Sequence, residues 1–557
     1  MTFREEGAKR SRAFALAGAL ERGAVWVAPS LFGALLSVAV GPLSGFDLIN
    51  LRWMAGWVMI SGSDGLYGSV ASLLTRPWLH DATIALLLRP GVWWLGPAVL
   101  GAVHGSLVPV VYKTVREITD SISKVGALIL AWTSVLTPLV LMHFGRETGH
   151  LFAALFLGMS TRLFLKNPQA GFGIGLLLGV VPLVKFSALI STLVLGFAFF
   201  VGLSGLQRFR LVAGTASALW FGALLPSTLF AMRSGLWSEL WLWGTLLPTV
   251  HVVGFSLGLL LALRWSIKWA RPDCTDGRRL KSSRVNAFVF LTGVACLVWY
   301  LRGSAVADPR FRPPALSDLM RQFAMSGNAR APVALSDWEI LYVDNSRILV
   351  AAFSTAAAVL MIASTRWTSP ERRKLLTALA IGASIVVVQA SVGYVRYASQ
   401  SIALVPIAIA CVVSLKRSQR MWKATMVLAL SGILLLPAAD VGSWFRAPGL
   451  NTYQRSGALL SEGEAALLSN LLPSESTVFL FGTGMTSAGP ATGRTDLRWQ
   501  LSPKRPEQVD TGIATLLYDP VATKDLDKFT TRGWVLDDCQ TLRFQNISYG
   551  WCSMSTD

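Results

Sequence analysis

The sequence predicts an all-α polytopic membrane domain of about thirteen transmembrane helices, followed by a small C-terminal α/β domain outside the cytoplasm. Three observations carry this reading. Apolar stretches of roughly 20 residues, the length that spans a bilayer core as a helix, recur along most of the chain. The loops between them alternate between basic and nearly charge-free, and loops rich in Lys and Arg stay in the cytoplasm. Beyond Asp440 the apolar pattern stops and short β-rich runs replace it. The bulk figures agree: 53% hydrophobic residues, 15% charged residues and a mean hydropathy of +0.52 are too apolar for a soluble protein.

Taken in order, the basic segments are Arg4–Arg22, Lys113–Lys124, Arg162–Lys166, Arg208–Arg210, Arg264–Arg284, Arg366–Lys374 and Lys416–Lys423. The predicted spans are 24–45, 84–111, 125–143, 150–165, 171–186, 188–205, 211–232, 245–263, 286–302, 347–365, 376–394, 401–415 and 424–441. Two spans separate each basic segment from the next, so all basic segments fall on one side. The chain then divides into a cytoplasmic N-terminal segment (1–23), a membrane domain (24–441) and an outside domain (442–557). The net charge of +19 sits in the short basic loops, which makes it a topology signal and argues against a nucleic-acid partner. Gly41-Pro42-Leu43-Ser44 offers no small-x-small cleavage site, so the first span is expected to stay as an anchor.

Two outside loops exceed the length of a connector. The first, 46–81, is Trp-rich and mildly amphipathic around Trp53 and Trp57, as suits a helix lying in the interface. The other, 303–346, is polar and rich in Pro and acids, and loops of this length usually serve function. In the outside domain, Ser461–Leu472 has helical periodicity with acids in its first turn, while Thr477–Phe481, Ala514–Tyr518 and Thr541–Phe544 read as strands. Cys539 and Cys552 are the two cysteines of that domain. An oxidising compartment favours a disulfide, and both the pair and two free thiols stay open at this point. Cys411 is expected to be a packing residue.

The candidate chemistry clusters where spans meet the outer face. Asp47 stands where the first span leaves the membrane; partial desolvation there raises a carboxylate's pKa and makes it a better general base, although an ordinary helix-end acid fits the same position. Asp64, in Ser61-Gly62-Ser63-Asp64-Gly65, reads more as a turn former. Arg146, Glu147 and His150 crowd a short turn between two apolar helices, a costly arrangement unless they pair or meet a ligand. Lys185 ends an apolar run, where its stem can snorkel to water or its amine can reach a lipid phosphate. Arg396, followed by Tyr397, breaks the positive-inside rule in a short outside loop, and its fork matches phosphate oxygens. No Walker loop, dinucleotide fingerprint or paired-Cys metal spacing competes with these residues.

On these motifs the chain resembles the membrane glycosyltransferases of C type (GT-C), especially bacterial relatives of the protein mannosyltransferases and aminoarabinose transferases. The likeness rests on Gly45-Phe46-Asp47 after the first span, on Gly62, Asp64 and Tyr67, on Gly145-Arg146-Glu147 before the fourth span, on Leu183-Val184-Lys185, and on Arg396-Tyr397 with the apolar run through Pro406. It implies an enzyme of the bacterial inner membrane that moves a sugar from a polyprenyl-phosphate donor to a lipid, glycan or protein acceptor on the outer face. It further implies Asp47 as general base, with Glu147 as a second catalytic acid, and Arg396, Lys185 and Arg146 as ligands of the donor phosphate. Asp64, His150 and Tyr397 would contact acceptor or loop. Many relatives carry two adjacent acids in the first loop; here Asp47 has no acidic neighbour, so a reaction without a metal or other cofactor is expected. A lipid-linked oligosaccharide polymerase or ligase is an alternative within the same chemistry. A polytopic transporter or flippase is the alternative from another class, but it would favour internal repeats and midplane polar residues.

Overall fold

A computed structural model describes residues 18–40, 57, 78–87, 94–141, 143, 149–185, 188–203, 206–218, 369–392, 398–415, isolated positions within 424–431, and 460–481, 488–500, 506, 509, 514–520, 526–544 and 548–555. Within these residues the chain is mostly helical, with one five-stranded sheet near the C-terminus.

A π-helical turn (Gly23–Val27) leads into α1 (Ala28–Val40). The helices α2 (Trp78–Leu87), α3 (Leu95–Gly105) and α4 (Leu107–Ile118) follow. Of the span expected at 84–111, residues 88–93 lie outside the described residues, and α3 and α4 run on to Ile118, through the first residues of the expected 113–124 loop. The reason is amphipathy. Val108, Val111, Tyr112 and Val115 are buried at helical spacing, so one face keeps packing after charged residues begin on the other. The junction at Ser106 falls where Pro109 lacks the N–H that would bond Gly105.

α5 (Lys124–Leu136) stops because Pro138 forces Thr137 into extended backbone (ψ 140°), and α6 (Pro138–Leu141) restarts the helix. The next three helices lie close to the expected spans: α7 (His150–Lys166), α8 (Gly171–Val184) and α9 (Ala188–Gly202). Residues 206–218 are helical as well. α10 (Ser369–Val392) begins earlier than the expected 376, because Pro370 and Glu371 suit a first helical turn. α11 (Ser399–Ile402) and α12 (Val405–Val413) fill the expected 401–415. The spans expected at 245–263, 286–302 and 347–365, and the 303–346 loop, lie outside the described residues.

Among the described residues, Gly18–Ala39 and Leu95–Ile118 are long and apolar enough to cross a membrane, and several shorter apolar helices pack around them. α1 lies so close to α3 that a Cβ on Gly101 would run into the Gly33 carbonyl. Such approaches drive helix association where lipid tails are as apolar as the side chains. α7 packs on α8 and α4, and α9 on α10; Phe164 and Phe199 stack with centroids 4.2 Å apart in the shared core.

One end of this bundle is tied by charge. Glu117 accepts two bonds from Arg162 (2.9 and 2.6 Å) and one from Lys166 (2.8 Å), Glu21 accepts from Lys124 at 2.9 Å, and Lys374 Nζ donates to the Ile118 carbonyl. Four of the basic segments named above thus meet at one end.

The C-terminal domain contains α13 (Glu462–Asn470), β1 (Thr477–Phe481), α14 (Ala488–Thr492), β2 (Arg498–Gln500), β3 (Ala514–Tyr518), α15 (Asp527–Thr530), β4 (Val535–Arg543) and β5 (Ser548–Ser555). Ser461 caps α13 by a reciprocal exchange with Glu464. The sheet order is β2-β1-β3-β5-β4, with β1 parallel to β2 and β3, and β5 antiparallel to β3 and β4. Two expected strands recur with their expected bounds, while Thr541–Phe544 proves to be the end of the longer β4. Phe479 meets Phe529 and Trp534 edge-on in the core, centroids 5.6 Å apart in both pairs. Cys539 and Cys552 form a disulfide, where the β4–β5 register shifts between Asp537 and Gln540. Beside the sheet, Arg494 forks onto Asp496 at 2.7 and 2.6 Å and holds that carboxyl below its ordinary range.

Candidate functional site

At the end of the bundle away from the ion pairs, the ends of six helices converge on buried polar side chains. Gly149 caps α7 with φ +72°, a left-handed conformation that only glycine adopts freely. A Cβ there would lie 3.2 Å from the Val184 carbonyl and 3.5 Å from the His80 ring. The start of α7, the end of α8 and the start of α2 are thereby brought together. Lys185 follows Val184 as the α8 cap; it is part-exposed, and its amide donates to the Val181 carbonyl.

His150 is 2% exposed, and its ring lies between the His143 ring, 4.5 Å away, and Gln400. His150 Nδ1 is 2.8 Å from Gln400 Oε1. An amide oxygen only accepts, so Nδ1 carries the proton and Nε2 is the ring's second nitrogen. Gln400 Nε2 donates to Ser191 Oγ at 3.3 Å, and Ser401 Oγ donates to the same oxygen at 2.9 Å. Ser399 Oγ reaches back to the Leu139 carbonyl of α6. Gln400, Ser191, Ser399 and Ser401 are fully buried, as are His80 and, nearly so, Asp81, whose carboxylate stands 4.0 Å from the His80 ring. The network thus joins α7, α9 and α11 by side-chain hydrogen bonds.

Of the residues singled out from sequence, Lys185 and His150 fall at this end. Asp47, Asp64, Arg146, Glu147, Arg396 and Tyr397 lie outside the described residues. His150 directs its ring at Gln400, inside the protein. Gln400, Ser191, His80 and His143 were not among the sequence candidates. The available signal was the presence of polar side chains near the ends of otherwise apolar helices, where each is costly unless bonded. Among the described residues, no group of three or more His, Cys, Asp or Glu is arranged to hold a metal ion. Trp57 meets the buried Trp499 of the C-terminal domain edge-on, with centroids 6.3 Å apart.

No family model and no curated protein matches the chain. Among solved structures, the chain is similar to the archaeal oligosaccharyltransferase AglB from Archaeoglobus fulgidus in complex with an inhibitory peptide and a dolichol-phosphate. That match has a TM-score of 0.39 and 12% identity over 90% of this chain and 69% of the other. It is also similar to ArnT from Cupriavidus metallidurans bound to undecaprenyl phosphate, at TM-score 0.37 and 13% identity over 95% and 97% of the two chains. At this level of identity and superposition the likenesses decide neither fold nor chemistry, so the functional reading rests on this chain's own residues.

Proposed function

We propose that the protein is an integral-membrane glycosyltransferase of GT-C type that transfers a sugar from a polyprenyl-phosphate donor to a lipid, glycan or protein acceptor at the outer face of the bacterial inner membrane. The observation that carries this reading is the convergence of helix ends around Gly149. His150 is three residues past Glu147, Gln400 is four past Arg396, and Lys185 adjoins Val184. Extended chain reaches at most about 3.6 Å per residue, so the His150–Gln400 bond limits how far apart the Arg146-Glu147 and Arg396-Tyr397 segments can stand. In this reading the candidate cations and acids from distant parts of the sequence gather at one end of the bundle. The Trp57–Trp499 contact supports a reading in which the first loop, with Asp47 and Asp64, shares a side with the C-terminal domain.

In this reading the donor's isoprenoid chain lies between membrane helices, and Arg396, Lys185 and Arg146 hold its phosphate. Asp47 accepts the proton of the acceptor hydroxyl as that oxygen bonds the anomeric carbon and the lipid phosphate departs with its electron pair. Glu147 acts as a second acid, and Asp64 and Tyr397 contact acceptor or loop. The sugar arrives activated, so positioning and phosphate stabilisation supply the rate, and no metal or other cofactor is invoked. Purified protein supplied with synthetic polyprenyl-phosphate sugars and a total glycan acceptor tests the reading. Asp47→Asn should lose about two to four orders of magnitude in turnover, the usual weight of a general base, while remaining folded by circular dichroism. Near-normal turnover in that variant would remove Asp47. A dead Asp64→Asn beside it would move the base to the other acid of the loop.

A further inference from the structure

We infer that the buried His150–Gln400–Ser191–Ser401 network is a positioning device for the lipid phosphate, acting through the helix ends it joins and not by contact with the ligand. The inference rests on the proposed use of a polyprenyl-phosphate donor. Gln400 reads both partners in one orientation: its Oε1 accepts from His150 Nδ1 and its Nε2 donates to Ser191 Oγ, which also accepts from Ser401. The amide therefore ties the start of α7 to the starts of α9 and α11, across sequence separations of 250 and 209 residues. The turn bearing Lys185 is held in the same assembly, because Gly149 packs against the Val184 carbonyl.

Stability does not account for this arrangement. Hydrogen bonds between membrane helices contribute little on average, and apolar side chains of equal volume would pack these helix ends without any polar group to satisfy. The network is also buried: His150 is 2% exposed, and Gln400, Ser191 and Ser401 are at 0%. Its distinct property is directional: each bond has one donor and one acceptor, so the helix ends have one register in which all bonds close. A fixed register matters where several cations from different loops must meet one phosphate, since their bonds weaken steeply with misalignment.

The test measures binding of undecaprenyl phosphate to the detergent-purified full chain by quenching of tryptophan fluorescence, with phosphatidylglycerol as control and a melting curve for each variant. Gln400→Leu should weaken binding about tenfold. The two His150 variants discriminate further. Asn places its amide nitrogen near the position of Nδ1, so His150→Asn should stay within about threefold of wild type. Gln places it nearer Nε2, so His150→Gln should weaken binding as much as Gln400→Leu. If Gln400→Leu fails to fold, the His150 pair, which keeps a polar side chain in place, carries the test. Lowered melting temperatures with unchanged affinity in all variants would show a purely structural role and overturn the inference. Equal weakening in both His150 variants would overturn it too. Wild type that binds undecaprenyl phosphate no better than phosphatidylglycerol would instead sink the proposed function, and the positioning role with it.

Discussion

The two ends of the helical bundle are held together by different means. At one end Glu117 gathers Arg162 and Lys166, and Glu21 pairs with Lys124, all through long, partly exposed side chains; Lys124 and Lys166 are 66% and 55% exposed. At the other, His150, Gln400, Ser191 and Ser401 bond through short side chains that are almost wholly buried. Exposed ion pairs contribute about 0–1 kcal/mol each and tolerate displacement, because water replaces a lost partner. A buried neutral bond contributes little when made, but a severed one leaves a donor or acceptor unsatisfied at about 1–3 kcal/mol. The first end is therefore permissive and the second is exacting.

The comparison breaks completely if the two ends do not face opposite compartments. Alkaline phosphatase and a cytoplasm-active reporter, fused in the Arg264–Arg284 loop and at the C-terminus, should give opposite, near all-or-none signals, with phosphatase active at the C-terminus. Equal signals would dissolve the distinction between the ends. Next in size is the Cys539–Cys552 disulfide, which sits in the domain that Trp57 links to the first loop. Cys552→Ser should destabilise that domain by about 3 kcal/mol, as expected for closing a loop of this size, read as a lower denaturant midpoint in oxidising buffer. A wild type that is fully reduced when isolated under non-reducing conditions would argue against an oxidising location.

Gly149→Ala sharpens the contrast from the exacting end. Its left-handed backbone and its approach to the Val184 carbonyl should cost about 1–3 kcal/mol, visible as a lower melting temperature. At the permissive end, Arg162→Ala should cost less than about 1 kcal/mol, and salt should shrink the difference. If Arg162→Ala costs more than Gly149→Ala, the two ends have been ranked the wrong way round. The smallest effect concerns the C-terminal domain. Because Arg494 lowers the folded-state pKa of Asp496, the pair stabilises above the unfolded carboxyl value of about 4, and this contribution fades as pH falls through the folded value below it. The carboxylate is 40% exposed, so the loss relative to Asp496→Asn should be well under about 1 kcal/mol in acid denaturation.

The features legible in the sequence were those set by short stretches of chain. Spans predicted at 150–165, 171–186 and 188–205 appear as α7, α8 and α9, because apolar length and flanking charge act on each segment alone. The Ser461–Leu472 helix, β1 and β3 were readable for the same reason. At the candidate site, Lys185 and His150 were visible as polar residues at helix ends. Gln400 and Ser191 were not, since amides and hydroxyls at helix starts are commonplace and carry no sign of their partners. Tertiary structure alone brought them together, across more than two hundred residues of chain. It also carried α3 and α4 on to Ile118, past the expected end at 111. It paired Cys539 with Cys552 through a bulge that residue spacing does not announce, and made a strand of Ser548–Ser555 by placing it between β3 and β4. The physical reason is the same in each case. Hydropathy and backbone propensity act locally and can be read along the chain, whereas a hydrogen bond between distant side chains depends on how whole helices and strands pack.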